Sequence, residues 1–214
     1  MSDGLGPSPH SQAILRLLRR GDVVAEWRRE RFEREERRAD KLQEAIERRV
    51  AMGDLLNAVR EDERLEEMFR VAVDAAVSST SDLKIKLLGG AVASGALVDD
   101  TAKVDESVIL LRLATELEVL DLRAIVAMSR ASREERHELG ARPVRFLADT
   151  LGIGPAIARP ILSRLEQLGL VERVPIGSVS DASQDGREYD TIEVDYDWNL
   201  TDTAGELLDL LHDQ

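Results

Sequence analysis

The chain has 214 residues, a formal net charge of −13, no cysteine and only 3% aromatic residues. That length holds one large or two small domains with ample core. The lack of cysteine excludes disulfides, thiolate metal sites and a cysteine nucleophile. With so few aromatics the core must be built from Leu, Val, Ile and Ala, a mix that favours helices.

The opening MSDGLGPSPH is polar and rich in Gly and Pro, without the apolar run of a signal peptide. Residues 1–9 are expected to be disordered. A short helix, Ser11–Arg20, presents Ile14, Leu15, Leu17 and Leu18, and Asp22 is suited to cap the next one. That next helix is predicted over Val23–Ala51. Its middle, residues 28–41, has seven basic and five acidic residues, with Glu30–Arg34 and Glu33–Arg37 in the favourable i,i+4 order. An arginine-rich helix can bind nucleic acid. Interleaved acids would repel phosphate at nearly every turn, so a solvated helix that spaces or pairs subunits is the better reading. Leu42, Ile46, Val50, Leu55, Leu56 and Val59 form an apolar seam that either pairs copies of the chain, a homo-oligomer built like a coiled coil, or folds back on residues 65–98.

Another helical pattern runs from Gly53 to Val77, broken by SSTSD (78–82), with Asp82 as the expected cap of the helix that follows. That helix carries Gly89, Gly90, Ala91, Ala93, Ser94 and Gly95. These small residues suit close helix packing, and no Lys-Ser/Thr follows the glycines, so this is no P-loop. The run Leu87–Val98 is also too short and too rich in glycine to span a bilayer. Asp105 is expected to cap a helix over Glu106–Leu117, and Leu120–Ser129 forms another. A cytoplasmic protein without a membrane partner is expected.

The most informative stretch is Leu147–Val174, LADTLGIGPAIARPILSRLEQLGLVERV. A helix over Val144–Leu151 stops at Gly152, which can take the positive φ that ends a helix. Pro155 suits the first turn of the next one, Gly154–Leu168. Ile157, Ile161, Leu162, Leu165 and Leu168 recur every three or four residues and predict its buried face. Gly169 ends that helix and LVERV reads as a strand. Thr191–Trp198 alternates Ile192, Val194, Tyr196 and Trp198 with acids, which predicts a second strand. Helix, tight turn, helix and strand make a helix-turn-helix with a wing. The expected fold class is therefore mainly α: long N-terminal helices and a helical domain, followed by an α+β winged-helix domain. The expected organisation is a long charged helix for oligomerisation over 10–52, a helical domain over 53–130 and the winged-helix domain over 131–214.

LADTLGI, SRLEQLGLVERV, Asp185-Gly186-Arg187 and the final helix opened by Leu200-Thr201 resemble the winged-helix regulators of the MarR type, over the last third of the chain. In that family the second helix of the motif lies in the DNA major groove and a wing arginine reaches the minor groove. The resemblance implies reading positions at Gly154, Pro155, Ala156, Ile157, Arg159 and Pro160, with Arg187 at the wing. A homodimeric transcription regulator would contact DNA through Arg159, Arg164 and Arg187, with Arg142, Arg145 and Arg173 on the phosphates. Against this, residues 141–214 carry 6 basic and 14 acidic residues. Nucleic-acid affinity draws largely on neutralising phosphates, so such a balance disfavours nonspecific binding. The alternative is an adaptor whose winged helix binds a protein, with Pro155, Ile157 and Pro160 as an exposed apolar anchor.

Catalysis and metal binding find little support. His10, His137 and His212 lack ligand spacing, and Arg130 with His137 fits only loosely the arginine-to-histidine spacing of some helical ribonucleases. Asp195, Asp197, Asn199, Thr201 and Glu206 match several positions of a calcium loop, but Leu200 stands where that loop needs glycine. No enzyme, cofactor or metal is expected.

Overall fold

The computed structural model describes residues 21–97, 101–131, 135, 142–176 and 195–212. Among these the chain is mainly helical with one two-stranded sheet. The elements are α1 (Gly21–Glu47), α2 (Met52–Glu61), α3 (Glu63–Ser78), α4 (Asp82–Ala96), α5 (Thr101–Glu116) and α6 (Val119–Arg130). They continue with α7 (Pro143–Leu151), α8 (Pro155–Gln167), β1 (Val171–Ile176), β2 (Asp195–Leu200) and α9 (Asp202–Asp209). No described helix is long and apolar enough to cross a membrane. The expected helix over Ser11–Arg20 and the wing tip with Arg187 lie outside the described residues.

α4 is the centre of the body. Ile85, Leu87 to Ala93 and Gly95 are buried on it, and it packs against α1, α3 and α5. Its small residues let three neighbours close in. A Cβ on Gly89 would stand 2.6 Å from the Ala45 Cβ of α1, and one on Gly90 would stand 2.5 Å from the Leu210 carbonyl oxygen just after α9. The expected tight packing is therefore real, and it fastens the C-terminal end of the chain to the helical body. Arg49 completes that contact by donating to the carbonyls of Asp209 (2.9 Å) and His212 (2.6 Å).

Several element ends depart from the sequence-based expectation. α1 stops at Glu47. Of the apolar seam, Leu42, Ile46, Val50 and Leu55 are buried within the chain's own core and Val59 is partly so, the fold-back alternative, while Leu56 is exposed. The expected single helix over Gly53–Val77 is two, divided at Asp62, whose extended backbone (φ −127°, ψ 112°) lets its carboxylate accept from Arg64 N at 2.8 Å. Ser81, not Asp82, caps α4, accepting from Lys84 N at 3.3 Å. Asp82 instead pairs with Lys41 at 2.7 Å. α5 begins at Thr101, so Asp105 lies inside it rather than at its cap.

β1 and β2 are antiparallel, from Val171 opposite Leu200 to Ile176 opposite Asp195. α7 and α8 pack on one another and on α6, and β2 also rests on α6.

Candidate functional site

The turn between α7 and α8 follows from two local choices. Gly152 adopts φ 66°, ψ 38°, and Ile153 N donates back to the Ala148 carbonyl at 3.0 Å, the glycine-ended closure of a helix. Pro155 then occupies the first turn of α8, where its missing N–H costs nothing. Gly169 repeats the device at the other end of α8 with φ 69°, and Leu170 N reaches the Leu165 carbonyl at 2.9 Å. Thr201 locks the start of α9 to this corner. Its hydroxyl donates to the Gly169 carbonyl at 2.7 Å and accepts from Ala204 N at 3.3 Å.

α8 is one-sided. Ala158, Ile161, Leu162 and Leu165 are buried. Ile157, expected on that face, instead stands 51% exposed, and Ala158 takes its place in the stripe. Around Ile157 the outer face shows Pro155, Ala156, Arg159 and Pro160, all exposed. Pro160 sits inside the helix without ending it, and both it and Ala156, whose carbonyl loses its usual i+4 donor there, are exposed residues.

The six expected DNA-contacting arginines separate into distinct groups. Arg159 on α8 and Arg142 before α7 are exposed and have no ion-pair partner among the described residues. Arg145 pairs with Asp149 one turn on, at 3.6 Å across an exposed surface. Arg173 on β1 donates to Glu166 at 2.6 Å and lies 5.4 Å from the Trp198 ring centroid. Arg164 turns inward. Its guanidinium stands 3.3 Å from Asp121 and donates to the Glu116 carbonyl at the end of α5. Arg187 lies outside the described residues.

Asp121 and Lys84 form the part of this site that the sequence reading missed. Asp121 is buried on α6 and accepts from Glu118 N at 2.8 Å, closing the first turn. Burial raises its carboxyl above the usual carboxylate range, against the opposing pull of that hydrogen bond and of Arg164. Lys84 of α4 donates to the Thr115 and Leu117 carbonyls, each at 2.7 Å. Burial lowers its ammonium pKa, and the Arg164 charge adds to that. Two cations from different helices thus hold the carbonyl end of α5, where the helix dipole is negative. A Lys and an Arg 80 residues apart carry no sequence signal that they meet.

Of the residues considered for metal binding, Asp195, Asp197 and Asn199 lie on β2 and the Thr201 hydroxyl caps α9. No cluster of three His, Asp or Glu placed to hold a metal occurs among the described residues. Comparison with protein-family models, with curated proteins and with solved structures finds no match to this chain.

Proposed function

We propose that α7, α8, the β1–β2 ladder and α9 form a winged helix whose outer α8 face docks a protein partner. The observation that carries this reading is the state of that face. Ile157 is half exposed between Pro155 and Pro160, while Arg164 and Arg173 are held in ion pairs with Asp121 and Glu166. An apolar anchor set in rigid backbone is what protein interfaces use, and two prolines lower the entropy lost on docking. The acidic balance of residues 141–214 selects a partner with a basic face. Copies of the chain, if they pair, would do so through the outer half of α1, where Trp27 and Phe32 are exposed.

DNA contact is the second reading, favoured by Arg142 and Arg159. Both are exposed, without an ion-pair partner among the described residues, near the N-terminal ends of α7 and α8, the region through which a helix-turn-helix meets a duplex. One experiment separates the two. Full-length protein and its Ile157→Asp and Arg159→Ala variants are titrated with duplex DNA at low salt, and co-purified from the native host. Protein docking predicts a partner retained by Arg159→Ala and lost by Ile157→Asp, with no saturable DNA binding. Micromolar or tighter DNA binding, weakened by about 1–3 kcal/mol in Arg159→Ala, would overturn it in favour of DNA.

A further inference from the structure

The outer half of α1 stands clear of the body. Every residue from 25 to 34 is exposed, whereas Leu42, Ala45 and Ile46 further along the same helix are buried. Ion pairs one turn apart, Arg31–Glu35, Arg34–Glu30 and Arg37–Glu33, run along this stretch. Phe32 stands among them at 74% exposed, the most exposed large apolar side chain of the described residues. Trp27 has a neighbour, the Arg31 guanidinium, 5.7 Å from its ring centroid.

The residues around Phe32 are ordered to fit a second copy of themselves. At 3.6 residues per turn, Ala25, Arg28, Arg29, Glu35, Glu36 and Ala39 share its face of the helix. Two arginines stand one turn before Phe32, two glutamates one turn after it, and an alanine lies two turns away on each side. Such an order complements itself only when two helices run antiparallel. About a two-fold axis at Phe32 the two rings meet, and Ala25 faces Ala39 of the other copy. Arg29 then comes level with Glu36 of the other copy, and Arg28 with Glu35, each to within one residue's rise of about 1.5 Å. A parallel pair in register would set arginine against arginine and glutamate against glutamate. Arg28, Arg29 and Glu36 have no ion-pair partner among the described residues, while Glu35 is shared with Arg31. Glu35 and Ala39 are half-buried, and the face is otherwise open as far as exposed Gln43, which leaves room for the other helix.

We propose that two copies of the chain pair through this face of α1, antiparallel and centred on Phe32. The arginines of each copy meet the glutamates of the other, and the two phenyl rings close the centre. An interface one helix wide belongs to the small, weak class, so the association is of micromolar strength. It does not depend on what α8 binds.

The test is sedimentation equilibrium of the full chain over ~5–200 µM at low salt. A monomer–dimer equilibrium is expected. Phe32→Asp should weaken it at least about tenfold, with an unchanged circular dichroism spectrum because the position is exposed. Arg29→Glu and Glu36→Lys should each weaken it as well, since each sets like charges against one another at both ends of the pair. Mixed in equal amounts, these two variants should associate again, within about threefold of the unaltered chain. In the mixed pair the introduced acid faces the introduced base, and the natural Arg29–Glu36 contact survives at the other end. A chain that stays monomeric throughout overturns the proposal. A dimer that tolerates Phe32→Asp, or both charge reversals, lies on another surface and overturns it too. A mixture that stays dissociated excludes the antiparallel order and overturns it equally.

Discussion

α4 and α8 are helices of similar length, and they differ in what surrounds them. α4 has nine buried residues and neighbours on every side, with glycines where α1 and the end of α9 press closest. α8 has four buried residues on one face and an outer face left to solvent. The first is scaffold throughout, so its sequence records packing alone. The second is scaffold on one side only, and its outer residues answer to no neighbour in the fold. Exposed Ile157 and Arg159 therefore carry functional information that the glycines of α4 cannot.

Substitution at Gly90 is the strongest way to break this contrast. Gly90→Val places a branched side chain against the Leu210 carbonyl, and unlike a flexible side chain that backbone cannot step aside. A loss of at least about 3 kcal/mol in denaturant unfolding is expected. Ile157→Asp on the outer face of α8 should shift the same midpoint by no more than about 0.5 kcal/mol. Comparable losses from both would show that α8 is as enclosed as α4.

Arg164 sharpens the comparison, because it is the point where α8 joins the body. Arg164→Ala leaves buried Asp121 without its ion-pair partner. A loss of about 2–3 kcal/mol is expected, less than the roughly 3–5 kcal/mol of a fully buried pair because the arginine is half exposed. Asp121 already has a raised pKa, so its charged form is disfavoured in the folded state, and the substitution raises it further. The deficit should therefore be greatest at neutral pH and shrink as pH falls toward the unfolded carboxyl value of 3.8. A deficit that is flat with pH, or one that Asp121→Asn does not partly restore, would show that Asp121 is not the partner that matters.

The smallest effect is expected where α9 meets α5. Glu206 is held above its ordinary value of 4.5, first by burial and then by the neighbouring Glu106, with Asp202 and Asp209 adding to it. An acid with a raised folded pKa opposes folding once ionised, and that penalty grows as pH rises from the unfolded value through the folded one. Glu206→Gln should therefore stabilise the chain at neutral pH by up to about 0.5 kcal/mol, since the site is open to solvent and screened. The gain should vanish below about pH 4.5, as thermal unfolding across pH would show. A gain that persists in acid would assign the effect to packing instead.

What the chain settles by itself is local. Gly152 and Gly169 end their helices because positive φ is open to glycine, and Pro155 starts α8 because the first turn needs no N–H there. Strand-like runs in the sequence foreshadow the pairing of β1 with β2, and the place of Thr201 before the last helix foreshadows its capping role. The ends that went astray also have local causes, too fine for hydrophobic periodicity to resolve. Asp62 breaks a run whose apolar spacing hardly falters, and at Ser81-Asp82 either residue could have been the cap. Only the tertiary structure decided where Leu42, Ile46 and Val50 bury, since an apolar stripe is satisfied equally by its own chain or by another copy. It alone brought Lys84, Asp121 and Arg164 together at the end of α5, and so took Arg164 away from the outer face of α8. Charged residues keep no periodic record of their partners. A paired arginine and a free one read alike in sequence, and they differ only once the backbone has placed a buried carboxylate beside one of them.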